Sequence, residues 1–210
     1  MIITIAIGLT IAYLLGSIPS AVWYGKKFHD TDVRTFGSGN AGATNTFRVL
    51  GKKAGAIVMA IDAFKGCLAT YIPVILLNNQ LIETNYISSF QIGFGIIAVI
   101  GHIFPIFAKF KGGKGVATLL GMAIALHPSA ALTCVSIFTI ILITTNYVSL
   151  GSIIAGLAFP ILLFTPMYNN NDLVLKVFGF VVFVLLMITH KQNIGRLMNG
   201  TENKIYLLKK

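Results

Sequence analysis

Three apolar runs, at residues 2–24, 54–77 and 90–108, contain only two charged residues between them, Asp62 and Lys65. Each supplies roughly 20 residues, and at 1.5 Å per residue such a run covers about 30 Å as helix, the thickness of a hydrocarbon core. A chain of this kind has too little polar surface to cover such runs in water. Only 10% of the 210 residues are charged and 56% are apolar, where soluble domains carry about 25% and 45–50%. Mean hydropathy is +0.84. Disorder, a disulfide scaffold and a soluble globular enzyme are excluded, and the length suits a single bundle, so residues 1–210 are expected to form one membrane domain.

The net charge of +10 does not point to nucleic acid, because of where it lies. Fourteen of the 16 basic residues fall in three polar segments: Lys26, Lys27, Arg34, Arg48, Lys52 and Lys53, then Lys109, Lys111 and Lys114, then Lys191, Arg196, Lys204, Lys209 and Lys210. The polar stretch 78–89 has none. Positive loops stay on the cytoplasmic side. The expected topology therefore has the N-terminus outside, with segments 25–53 and 109–115 and the tail in the cytoplasm. The first apolar run lacks a basic leader and a small-residue cleavage site, so it reads as a retained helix. Cys67 and Cys134 both sit in apolar runs, with no metal spacing and no disulfide expected.

Beyond Gly115 the runs shorten. Residues 116–126 give only about 16 Å of helix, and His127-Pro128 interrupts before runs at 129–144, 149–166 and 173–189. A cytoplasmic tail needs an even number of crossings after Lys114. Four fits these four runs, and two fits if they merge. The expectation is an all-α, polytopic integral membrane bundle with seven transmembrane helices, some short or broken, and five as the alternative. Short helices at membrane depth are tolerated where protein or water covers their ends.

Residue types that handle phosphate gather in the basic segments. The first holds Gly37-Ser38-Gly39-Asn40-Ala41-Gly42-Ala43-Thr44-Asn45, then Arg48 and Gly51. Glycines let backbone N–H groups approach an anion, while small hydroxyls and amides add donors. A helix starting there would set Arg48 on the same side as Asn45. The second runs Gly101-His102-Ile103-Phe104-Pro105 to Lys111-Gly112-Gly113-Lys114-Gly115-Val116-Ala117-Thr118. Its glycines and lysines open an apolar run whose positive dipole end would face the loop, an arrangement that binds phosphate. It is not a nucleotide loop of the Walker type, since Gly115 follows Lys114 where Ser or Thr is required.

The third segment sits where the last run leaves the bilayer. His190, Asn193 and Arg196 share one helical face there, with Gly200 and Glu202 beyond. Within the second run, Asp62 and Lys65 stand about one turn apart. A lone charge at helix centre costs roughly 2.5–3.5 kcal/mol, so the two are expected to pair facing the bundle interior. Structural pairing and substrate contact are both open for them.

Together these segments are recognisable. G-S-G-N-x-G-A-T-N-x-x-R at 37–48, G-H-x-F-P-x-F-x-x-F-x-G-G-K-G-x-A-T at 101–118 and H-x-x-N-I-x-R-L-x-x-G-x-E at 190–202, with Asp62-x-x-Lys65-Gly66 between, resemble the bacterial acyl-phosphate-dependent glycerol-3-phosphate acyltransferases, the PlsY family. The resemblance implies an enzyme of the bacterial inner membrane with its site facing the cytoplasm. It would move a fatty acyl group from acyl phosphate to the 1-hydroxyl of sn-glycerol 3-phosphate, giving lysophosphatidic acid and phosphate for phospholipid synthesis.

Carried over residue by residue, Ser38, Asn40, Arg48, His190 and Asn193 are the expected catalytic set. Gly37, Gly39, Asn45, Lys65, His102, Gly112, Gly113, Lys114, Gly115, Thr118 and Arg196 are expected to bind substrate and its phosphates, and Asp62 and Glu202 to be structural. No cofactor and no metal are implied. The expected partners are the two substrates, membrane lipids and, functionally, an enzyme that makes acyl phosphate.

An acyl phosphate is an activated mixed anhydride, so positioning and charge stabilisation suffice for transfer. The base is either His190 or a phosphate oxygen of the substrate, with His190 favoured as the group that orients the hydroxyl. The H-x4-D signature of acyl-CoA acyltransferases is absent, since Phe107 stands five residues after His102. The four scattered aspartates do not make the metal site of a CDP-alcohol phosphotransferase. A small membrane channel or phosphate transporter is the non-enzyme alternative, with Asp62 and Lys65 lining its path.

Overall fold

The computed structural model describes residues 1–168 and 172–206. Lys209 and Lys210 of the basic tail lie outside the described residues. Among the described residues there are ten α-helices, two single 3-10 turns and no strand. The chain packs as two compact units, Met1–Leu126 and His127–Lys210. Among the described residues three helical segments are long and apolar enough to cross a bilayer, or up to five if each of two bent pairs counts as one span.

The first unit contains α1 (Ile2–Ser17), α2 (Ser20–His29), α3 (Ala43–Leu50), α4 (Lys52–Asn78), α5 (Ile87–Ile103) and α6 (Val116–Leu126). The first apolar run, expected as one helix, is two. Pro19 lacks an N–H and its ring crowds the preceding turn, so α1 stops at Ser17 and α2 leaves at 43° to it. Helix α2 ends at Asp30, which adopts a left-handed conformation (φ 46°), with Lys26, Lys27 and His29 in the last turn where the dipole favours cations. The third run likewise stops early, at Ile103, because Phe104 precedes Pro105 and is biased away from helix. A 3-10 turn, Ile106–Ala108, carries the chain on.

Helix α4 packs against α1, α5 and α6, and it meets α6 with the backbones in direct apposition. A Cβ on Gly66 would overlap the carbonyl of Thr118, and one on Gly121 the carbonyl of Ala63. Small residues are what allow such approach between helices in lipid. On the far side Ala69 joins Ala12, Phe94 and Ala98 in a fully buried cluster from α1, α4 and α5.

The second unit contains α7 (Pro128–Thr145), α8 (Val148–Leu162), α9 (Leu173–Thr189) and α10 (Lys191–Met198). Pro128 sits at the first position of α7, where its missing N–H costs nothing, and His127 Nδ1 accepts from Ala130 N–H at 3.3 Å. Asn146, left-handed at φ 63°, turns α7 into α8. Helix α8 ends at Leu162, short of the expected 166. Asp172 caps α9 by accepting from Leu175 N–H at 3.1 Å. Val177, Phe180, Val184 and Ile188 lie exposed along one side of α9, the spacing of an apolar face turned to hydrocarbon.

Candidate active site

In the first unit the segment after α2 is shaped by two polar side chains. Asp32 accepts from Arg34 through N–H (3.1 Å), Nε (3.0 Å) and Nη2 (2.7 Å), capping the 3-10 turn Val33–Thr35. The Arg34 hydrogen bonds outweigh desolvation and hold the Asp32 carboxyl down to about 2. Asn45, buried at the start of α3, then closes the loop. Its Oδ1 accepts from Ser38 N–H at 2.8 Å, and its Nδ2 donates to the carbonyls of Val33 (2.7 Å) and Phe36 (3.1 Å). Gly37 is left-handed (φ 61°), and a Cβ there would overlap Asn45 Oδ1. The amide of Asn45 is thus spent on the loop's own backbone. Gly39 shares the left-handed backbone at φ 71°. Ser38 is exposed, while Asn40 and Arg48 are half-buried.

The second segment folds back on the end of α5. Lys109 and Phe110 are both left-handed, with φ of 55° and 59°, and Phe110 N–H bonds the Pro105 carbonyl at 2.9 Å. Gly112 and Gly113 then donate their N–H groups to the carbonyls of Ile103 and His102, each at 3.2 Å. These are the carbonyls a helix end leaves without a partner. The expectation that both glycines offer free amides to an anion therefore needs correcting: α5 takes them. Gly115, at φ 81°, accepts Leu119 N–H at 2.8 Å and opens α6, so the positive end of that helix stands beside Lys114. Arg34 Nη1 donates to the Ala108 carbonyl at 3.1 Å, so the first and second basic segments lie side by side.

Behind them three expected site residues are buried. Lys65 Nζ lies 2.8 Å from Asp62 Oδ1 and donates to the Ile18 carbonyl, also at 2.8 Å. Ser20 Oγ donates to the same Asp62 oxygen at 2.6 Å, and His102 Nδ1 lies 3.4 Å from it. Asp62 and Lys65 pair inside the bundle, as their spacing indicates. Thr118 is fully buried against Gly66 of α4. Lys65, His102 and Thr118, all expected to bind substrate, are thus buried within the first unit.

In the second unit α9 and α10 meet at 63°, with His190 at the break. His190 is buried, and its Nδ1 lies 2.9 Å from the Leu186 carbonyl. A carbonyl only accepts, so Nδ1 carries a proton and donates it to Leu186, which fixes the orientation of the ring. Asn193 Nδ2 and Arg196 Nε donate to the two oxygens of Glu202, each at 2.7 Å, and Ser149 Oγ adds a bond at 3.1 Å. Burial pushes the Glu202 carboxyl up, but these three partners outweigh it and hold it below the usual glutamate range.

Sequence reading did not single out Asp32, Arg34, Ser20 or Ser149. The Asp-x-Arg spacing was available as a signal for the first pair; the two serines carry none. Among the described residues no group of three His, Cys, Asp or Glu is placed to hold a metal ion.

A family model described as glycerol-3-phosphate acyltransferase matches residues 6–200. The chain is 44% identical over 205 residues to a glycerol-3-phosphate acyltransferase of Macrococcus caseolyticus, covering 98% of this chain and 99% of that one. It is 44% identical over 210 residues to one of Enterococcus faecalis, covering 96% and 92%. Its fold is similar to the crystal structure of PlsY (YgiH), an integral membrane glycerol 3-phosphate acyltransferase, in its glycerol 3-phosphate form. There the TM-score is 0.78 at 36% identity, over 97% of this chain and 96% of that chain. The lysophosphatidic acid form matches with a TM-score of 0.77.

Proposed function

Since this integral membrane chain belongs to the glycerol-3-phosphate acyltransferase family, we propose that it transfers a fatty acyl group from acyl phosphate to the 1-hydroxyl of sn-glycerol 3-phosphate. The hydroxyl oxygen attacks the carbonyl carbon, the new ester C–O bond forms, and the C–O bond to phosphate breaks. The hydroxyl proton passes to a phosphate oxygen, and lysophosphatidic acid and inorganic phosphate leave. The observation that carries this reading is the Arg34–Ala108 hydrogen bond, which sets two glycine-bearing basic segments side by side. Both substrates carry phosphate, and two such segments offer separate cations to them.

In this reading Lys114 and the start of α6 hold the phosphate of glycerol 3-phosphate. Ser38, Asn40 and Arg48 serve the acyl phosphate head and its developing charge. Gly37, Gly39 and Asn45 give the first loop its shape, and Gly112, Gly113 and Gly115 the second. In the second unit His190, Asn193 and Arg196 are the groups we assign to the reaction, with Glu202 accepting hydrogen bonds from the last two. Positioning of the reactants is most of what an activated anhydride needs. One acyltransferase domain over residues 1–210 fits the family match, which runs through both units.

We also place the enzyme in the bacterial inner membrane with seven crossings, because each of the seven apolar runs contains its own helix, α1 and α4 to α9. The basic segments then face the cytoplasm. Acyl phosphate is a hydrolytically labile mixed anhydride, so its producer is expected to work in close functional coupling. The test is phosphate release by purified protein. Release matched one to one by lysophosphatidic acid, and dependent on both substrates, is the expected result. No transfer from acyl phosphate by folded protein, or equal transfer from acyl-CoA, overturns the assignment.

A further inference from the structure

His102 touches the second loop twice. Its carbonyl accepts the N–H of Gly113 at 3.2 Å, and its ring lies directly under the same residue. A Cβ built on Gly113 would overlap Nε2 and would stand 3.1 Å from Cε1 and 3.3 Å from Cδ2. The other ring nitrogen, Nδ1, is buried 3.4 Å from Asp62 Oδ1 without a hydrogen bond to it. That carboxylate is itself fixed from two directions, by Ser20 Oγ at 2.6 Å and by Lys65 Nζ at 2.8 Å. Lys65 also donates to the carbonyl of Ile18, inside the break between α1 and α2. Asp62, Lys65 and His102 are all at least 94% buried.

From this we infer that Asp62 and His102 are a positioning pair for the loop 112–115: the imidazole packs against the carboxylate and is the floor on which Gly113 rests. Neither residue needs to meet the substrate. The lack of a side chain at Gly113 follows from the ring beneath it, since its N–H is already bonded to α5. The same carboxylate reaches the α1–α2 break through Ser20 and Lys65, and α2 leads into the first basic segment. One buried charge thus sets the height of the second loop and anchors the approach to the first. The inference rests on the proposed reading in which the second loop holds glycerol 3-phosphate, and it assigns a specific device to that reading.

A size-compensation experiment tests it. Gly113→Ala alone should raise the KM for glycerol 3-phosphate by about tenfold, the scale of one mis-set hydrogen bond, with kcat changed far less. His102→Ala should do the same and should speed hydrogen exchange at the amides of Gly112 and Gly113. In the double variant the new methyl group fits the space the ring has left. The two effects should therefore not multiply, and KM should stay at or below the worse single variant.

Multiplying effects, or unchanged exchange at both amides, overturn the positioning role. A His102→Ala variant that loses kcat at unchanged KM also overturns it and makes His102 a substrate contact. Faster exchange with an unchanged KM retains the positioning pair and refutes the phosphate-loop reading instead. Should His102→Ala fail to fold, His102→Asn, which keeps a planar polar group, is read by the same exchange measurement. Asp62→Asn, which keeps the shape of the carboxyl, should loosen the same two amides with His102 intact.

Discussion

Arg34 donates Nη1 to the carbonyl oxygen of Ala108 at 3.1 Å while its other nitrogens grip Asp32, so a single guanidinium holds two basic segments together. The grip depends on the charge of Asp32, whose carboxyl is held down to about 2, below its ordinary 3.8. A carboxylate with a depressed folded value adds stability that is complete above its unfolded value and is lost as pH falls through the folded one. This contribution should disappear between about pH 4 and pH 2. Melting temperature in detergent, followed across that window, should fall less steeply in Asp32→Asn than in the wild type. Asp32→Asn should also raise the KM for both substrates at neutral pH, through displacement of the loops. A variant with the wild-type acid slope contradicts the role given to this pair.

Glu202 organises the second unit in a similar way, with three side chains converging on a buried carboxylate. Glu202→Ala leaves Asn193, Arg196 and Ser149 without their shared acceptor. Removing hydrogen bonds to a charged group typically costs about 1.5–3 kcal/mol each before relaxation. The variant should show a clearly lowered melting temperature and poor recovery from the membrane. Glu202→Gln keeps an oxygen for Asn193 and Ser149 while losing the ion pair with Arg196, so it should fall between. Full thermal stability in Glu202→Ala, measured in detergent, refutes a structural role for the carboxylate.

The topology proposal is checked by cysteine labelling in intact cells, with Cys67 and Cys134 replaced. Ser38, Lys111 and Asn199 are exposed positions in the three motif segments, and Asn79 is exposed in the connection between α4 and α5. Ser38→Cys, Lys111→Cys and Asn199→Cys should be protected from a membrane-impermeant reagent, and Asn79→Cys should react. External labelling at any of the first three reverses the orientation argued from the basic residues.

Much of this architecture is legible from lengths and breakers. The 24-residue apolar run around Asp62 becomes α4, His127-Pro128 divides α6 from α7, and the i,i+3 spacing of Asp62 and Lys65 becomes a 2.8 Å ion pair. Pro19 cuts the first run in two, a break that run length alone does not show. What lies beyond local reading is any pairing of distant residues. Ser20 is 42 positions from Asp62, and Ser149 is 53 from Glu202. Glycine was the most misleading residue type: Gly112 and Gly113 look like anion-binding amides in sequence, yet α5 consumes both. A glycine pattern shows that backbone comes close to something, and only the fold says whether that is a ligand or another helix.

The division between binding and chemistry is the sharpest consequence of the site. In the proposed reading Lys114→Ala removes one charge-assisted contact to a phosphate, so it should raise the KM for glycerol 3-phosphate by roughly 10- to 150-fold and leave kcat nearly intact. In that reading His190 plays a different part, and its ring is fixed by the Nδ1–H bond to the Leu186 carbonyl. A group that orients the hydroxyl acts mainly in the transition state, so His190→Ala should lower kcat with little change in KM, and Ser38→Ala should follow it. The pH dependence of kcat then identifies the base. If a phosphate oxygen of the substrate takes the proton, the acid limb of the profile persists in His190→Ala at reduced height. Loss of that limb in the variant makes His190 the base itself. An unchanged kcat in His190→Ala, in protein that melts like the wild type, removes His190 from the reaction altogether.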